Sequence, residues 1–191
     1  DSISKTVTFT LDGRQVDAGP GETIWQAAAR HGTDIPHLCY RDSNDYRADG
    51  NCRACMVEIE GERVLAASCI RTPNEGMVVN SANARAENAR KMVMELLVAD
   101  QPPRDAAHDP DSDLWHYAET QDVEASRFPA KHAPAPDSSH PAIAVNMDAC
   151  IQCNLCVRAC REVQVNDVIG LAGRGADAHI VFDFDLSLIH I

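Results

Sequence analysis

The sequence predicts an α+β fold: two small modules joined by a long helix and a proline-rich linker. Three observations predict it. Alternating β-branched runs with hairpin turn signals fill the first 80 residues. A helical apolar stripe follows, and then a segment, residues 101–141, that holds seven of the ten prolines. Eight cysteines fall in two groups of four, one group in each module. Aromatic residues make up only 5% of the chain, so the protein core is modest and bound metal is expected to supply part of the folding energy.

The elements follow in order. Residues 3–10 alternate and are β-branched, the pattern of a strand, and Asp12-Gly13 is a hairpin signal with Val16 on the return strand. Residues 22–31 read as a helix with acidic Glu22 at its start, Arg30 and His31 at its end and Gly32 as the stop. Residues 34–54 are turn-rich. Met56–Glu60 and Arg63–Ala67 form a second hairpin around Gly61, and Met77–Val79 one more short strand. Residues 82–99 read as a helix whose stripe Ala89, Met92, Val93, Leu96 and Leu97 is expected to pack on the first module. Residues 101–141 read as a linker interrupted by a short helix at Leu114–Glu119. Beyond the second cysteine group, two apolar strands flank Gly173-Arg174-Gly175. The expected divisions are 1–80, 81–141, 142–185 and 186–191. Leu186–Ile191 breaks from the acidic strand before it and matches a translation of a transposase adapter, so it is expected to be a non-native tail on a truncated chain.

Charge excludes some functions. With 17 basic and 29 acidic residues the formal net charge is −12, which argues against nucleic acid or an anionic membrane surface as the main partner. No apolar run is long enough for direct membrane insertion, and the first residues lack a signal-peptide pattern. Eight cysteines in such a chain point to metal binding in the cytoplasm rather than to disulfides. No catalytic triad, Walker loop or paired catalytic carboxylates occur, and Gly170–Gly175 is no dinucleotide fingerprint because no helix follows. The chain itself is therefore expected to hold no catalytic site. His108, His116, His132 and His140 in the linker read as surface residues.

The first cysteine group, Cys39, Cys52, Cys55 and Cys69, has the spacing C-x12-C-x2-C-x13-C. A [2Fe–2S] cluster takes four thiolates, two per iron, and a structural zinc site also takes four. Spacing alone leaves both open. Gly50 and Ala54 keep the loop slim, which lets backbone N–H groups approach the sulfurs. The second group, Cys150, Cys153, Cys156 and Cys160, is the run C-x2-C-x2-C-x3-C, a ligand pattern of bacterial [4Fe–4S] ferredoxins. In that pattern Cys150, Cys153 and Cys156 hold three corners of one [4Fe–4S] cluster, and Cys160 serves an adjacent [4Fe–4S] cluster. The remaining ligands would have to come from outside this chain. Val165, Val168, Ile169, Ile180 and Phe182 would then form an apolar face left exposed by the missing half.

Residues 35–40, 50–58 and 67–69 resemble the N-terminal ferredoxin domain of three related groups. These are the large iron–sulfur subunit of respiratory complex I, the diaphorase subunit of NAD-reducing hydrogenases and the alpha subunit of NAD-dependent formate dehydrogenases. Residues 150–175 look most like the formate dehydrogenase subunit. The resemblance implies a β-grasp [2Fe–2S] domain, a partial [4Fe–4S] ferredoxin domain and a role in electron transfer. It also implies flavin/NAD-binding and small iron–sulfur partner subunits, with a Mo/W-pterin site only in a C-terminal part absent from this sequence. One departure stands out. Many relatives carry His-x3-Cys-x2-Cys-x5-Cys after the long helix, whereas residues 99–108 contain no cysteine, so that further cluster is expected to be missing.

Overall fold

The computed structural model describes residues 6–43, 47–130, 136–140 and 143–182. Positions 3–5 of the expected first strand, His132 and the expected tail 186–191 lie outside the described residues. The chain divides into two compact units, 1–42 with 47–93, and 43–46 with 94–191.

The first unit is a mixed five-stranded sheet in the order β2-β1-β5-β3-β4. β1 (Val7–Leu11) and β2 (Arg14–Ala18) pair antiparallel across Asp12-Gly13, both with positive φ, as the hairpin signal required. β5 (Val78–Asn80) runs parallel to β1 and antiparallel to β3 (Met56–Ile59). The Asp12 carboxylate locks this seam by accepting from Ser81 N and Ser81 Oγ, both at 2.6 Å. β4 (Ala66–Ala67) keeps only two residues of the expected return strand. Helix α1 (Ile24–Arg30) begins at a capping box: Gln26 N donates to Thr23 Oγ1 while Gln26 Oε1 accepts from Thr23 N. Glu22 thus lies ahead of the cap rather than in the first turn. Ile24, Ala27 and Ala28 face a core of Phe9, Leu11, Val57, Ile59 and Val79. This sheet with its crossing helix is the β-grasp arrangement expected above.

Helix α2 (Ala84–Ala99) corrects one expectation. Its buried residues are Ala86, Arg90, Met94 and Val98, whereas Met92 and Leu96 are exposed. The helix carries apolar residues around most of its circumference, so the sequence offered several i, i+4 stripes, and the one that packs contains an arginine.

In the second unit, the expected short helix is α3 (Asp113–Thr120), which buries Leu114, Trp115, Tyr117 and Ala118. A two-stranded pair, β6 (Asp137–His140) and β7 (Ile143–Val145), precedes the second cysteine group. Helix α4 (Leu155–Arg158) runs into a π-type turn, Ala159–Val163. β8 (Ile169–Ala172) and β9 (His179–Phe182) form the expected antiparallel pair. The face expected to be bare is only partly so: Val165 is 79% exposed, but Ile180, paired with Leu171 in the β8–β9 ladder, is buried. His108 and His116 are exposed, as expected of surface histidines.

Candidate iron–sulfur sites

Cys39, Cys52, Cys55 and Cys69 come from three places: the loop after α1, the turn before β3 and the segment after β4. All eight cysteines of the chain are free thiols. Cys39, Cys55 and Cys69 are buried and Cys52 is half-buried. The thiols gather as two pairs. Cys39 hydrogen-bonds Cys52 and Cys69 hydrogen-bonds Cys55, and the two pairs lie close enough that Cys39 acts on Cys55, and Cys39 and Cys52 on Cys69, through charge. Arg53, at φ 62°, turns the chain between Cys52 and Cys55, and Cys39 and Cys69 reach them from elsewhere in the fold. Among the described residues no three His, Cys, Asp or Glu side chains converge on a single-ion site.

Each pair shares a proton. The Cys39 thiol donates to Cys52, which lowers Cys52 to about 6 and raises Cys39. Cys69 donates likewise to Cys55, lowering it to about 7 and rising itself. Backbone amides add to this: Cys52 N donates to Cys39 Sγ at 3.3 Å and Ala54 N to Cys52 Sγ at 3.5 Å. These N–H groups would stabilise negative sulfur in a bound cluster as they do in the free thiols. The loop needs small residues to make this approach. Gly50 is at φ 61° with Ile70 Cδ1 only 3.0 Å from where a Cβ would stand, and Ala54 is fully buried. Ser68 Oγ donates to Cys55 O at 2.8 Å, fixing the backbone of one ligand. A four-thiol set with three members buried and amides aimed at the sulfurs fits a [2Fe–2S] cluster.

In the second group, Gln152 and Asn154 adopt positive φ, 53° and 63°, so the chain curls between Cys150, Cys153 and Cys156. The Cys156 thiol is pushed up by the protein packed around it, then by the charges of Cys153 and Cys150, although the residue as a whole is exposed. Cys160 is buried in the π-type turn and accepts from Val168 N at 3.2 Å. Gln152 Nε2 donates to Ala178 O at 2.6 Å, tying the cysteine loop to the β8–β9 turn. The donor chemistry fits an iron–sulfur group.

Some parts of the site escaped sequence reasoning. Ser68 gave no signal beyond sitting beside a cysteine. Trp25, His37 and Tyr40 form an aromatic group around the Cys39 segment, with centroids 4.3 Å apart for Trp25–His37 and 5.0 Å for Trp25–Tyr40. Arg90 was legible only as a lone cation at i+4 from Ala86 and i−4 from Met94.

Comparison with known proteins agrees with this geometry. Residues 4–84 match the family described as a 2Fe-2S iron-sulfur cluster binding domain, and residues 140–188 the ferredoxin-like domain of NADH-quinone oxidoreductase subunit 3. A chain from the crystal structure of an NAD+-reducing [NiFe]-hydrogenase is 30% identical with a TM-score of 0.79, over 92% of this chain and 74% of that one. This chain belongs to the iron–sulfur superfamily shared by NADH-quinone oxidoreductases and NAD-reducing hydrogenases. Other members of that superfamily include the NADP-reducing hydrogenase subunit HndD of Solidesulfovibrio fructosivorans, 33% identical over 95% of this chain and 32% of its own length. The mitochondrial NADH-ubiquinone oxidoreductase 78 kDa subunit of Candida albicans is 35% identical over 91% of this chain and 25% of its own. The chain thus spans a third or less of these curated relatives. Their names match the hydrogenase and complex I alternative better than formate dehydrogenase. Among the described residues no helix is long and apolar enough to cross a membrane.

Proposed function

We propose that this chain is an electron-relay segment of an NAD(P)-linked oxidoreductase, of the hydrogenase or NADH-quinone oxidoreductase kind. The observation that carries the reading is the paired arrangement of Cys39 with Cys52 and Cys55 with Cys69, which supplies two thiolates to each iron of a [2Fe–2S] cluster. The bound cluster would supply one-electron chemistry. The protein's own work is to hold the sulfurs, aim amides at them and exclude water from three of the four ligands. Loading would release the proton each pair shares. Cys150, Cys153 and Cys156 would hold a [4Fe–4S] cluster, with Cys160 directed to an adjacent one completed outside this chain. Flavin/NAD-binding and small iron–sulfur subunits would be its partners, and eight cysteines at metal-ligand spacings suit a reducing, cytoplasmic setting.

A second reading keeps the formate dehydrogenase alpha subunit as the parent, with its Mo/W-pterin site in a further domain. It rests on the absence of any cysteine between Cys69 and Cys150, which departs from the further cluster motif of many relatives. Anaerobic purification followed by visible spectroscopy tests the shared core of both readings. Broad absorption that bleaches with dithionite is expected, and a colourless zinc protein refutes them. The full-length protein, assayed for viologen reduction by hydrogen, NADH or formate, separates the two parents.

A further inference from the structure

Helix α2 buries one cation. Arg90 is 8% exposed, among Ala86, Met94 and Val98 on its face of the helix. Its Nη1 donates to Met56 O at 2.9 Å, and its Nε is buried without a hydrogen-bond partner. Among the described residues no carboxylate lies within ion-pair distance of it, unlike Arg85 one turn earlier, which pairs with Glu58 on the surface. Burial lowers its pKa, opposed by the more distant charges of Glu87, Asp12 and Cys55. A guanidinium remains protonated in proteins, so this is a buried positive charge without a close counter-ion. Such a group is costly to bury unless something negative compensates it. Met56 directly follows Cys55, a ligand of the proposed two-iron site, and Cys55 is itself one of the charges acting on Arg90.

We propose that Arg90 is a positioning residue of the [2Fe–2S] site: a buried counter-charge that favours the reduced cluster while holding the Cys55–Met56 segment against α2. The inference rests on the two-iron reading given above. Reduction adds one electron and one negative charge beside Cys55, and no proton need move. A fixed cation in a low-dielectric site lowers the energy of that added charge more than a surface cation can.

The experiment is an EPR-monitored potentiometric titration of the whole chain, purified anaerobically, with dithionite as reductant. It compares the wild type with Arg90→Lys, Arg90→Gln, Arg90→Met and the surface control Arg85→Met. At the wild-type midpoint, the ratio of reduced to oxidised cluster should be about tenfold lower in Arg90→Met and Arg90→Gln, a downward shift of about 59 mV for a one-electron couple. Arg90→Lys and Arg85→Met should stay close to the wild type. Loss of the cluster from both neutral variants with retention in Arg90→Lys would also support the counter-charge. Unchanged midpoints in the neutral variants would overturn it, and a fall in melting temperature alone would leave Arg90 a structural strut. A wild type without any reducible two-iron signal defeats the underlying reading, an outcome distinct from an unchanged midpoint.

Discussion

Changing Gly173 to alanine should open the β8–β9 turn. Gly173 sits at φ 73°, where an L-residue costs about 1–2 kcal/mol. A Cβ there would stand 2.2 Å from Asp177 O and 2.8 Å from its carbonyl carbon. Both are backbone atoms of the same turn and cannot rotate away, so the turn itself must shift, an overpacking cost of about 1–3 kcal/mol. Together these give about 2–5 kcal/mol, or roughly 30-fold to several thousand-fold in a local opening equilibrium. Hydrogen exchange of the amides in residues 169–182 reads that equilibrium directly. Gly50→Ala provides the comparison. It bears the same backbone cost at φ 61°, but its near contact is the Cδ1 tip of Ile70, a side chain 46% exposed and free to yield. The expected order is a severe effect at Gly173 and about 1–2 kcal/mol at Gly50. Acceleration below about threefold in Gly173→Ala, far under the 2–5 kcal/mol worked out above, would refute the steric reasoning.

Replacing Cys52 with serine should abolish or strongly shift the EPR signal of the reduced two-iron site and lower the stability of the first unit, since ligation and folding are coupled. An unchanged signal removes Cys52 from the ligand set. Replacing Cys150, Cys153, Cys156 and Cys160 together with serine should leave about two irons per chain by metal analysis, and about six would reveal a further cluster. Arg30 hydrogen-bonds Glu22 and Asp17, and this is the main reason both carboxyls titrate below their usual range. Lowered native pKa values stabilise the fold above the unfolded values, here 3.8 and 4.5, and the contribution fades as pH falls through the native ones. The melting temperature of Arg30→Met should therefore lie below the wild type at neutral pH and converge with it in acid, as followed by circular dichroism.

Most of the first unit was legible because its signals are local. Asp12-Gly13 can form a tight turn without tertiary help, Arg30, His31 and Gly32 mark a helix end, and the cysteine spacing announces a metal site. The pairing of thiols was not legible, since it depends on which strands bring Cys39 and Cys69 back to the Cys52–Cys55 turn. The face of α2 was misjudged for a related reason. Its apolar residues allow several stripes, and only packing selects the one containing Arg90. Burying an arginine runs against residue-type expectation, and such departures concentrate where function imposes a cost.

The two-iron site is tested most directly by the low-temperature EPR spectrum of the anaerobically purified chain before and after dithionite. No signal is expected from the oxidised two-iron centre and, on reduction, a paramagnetic signal of about one spin per chain that persists in the four-serine variant of the second group and is lost or strongly shifted in Cys52→Ser. A chain that shows no such signal on reduction, with zinc in place of iron by metal analysis, would contradict it.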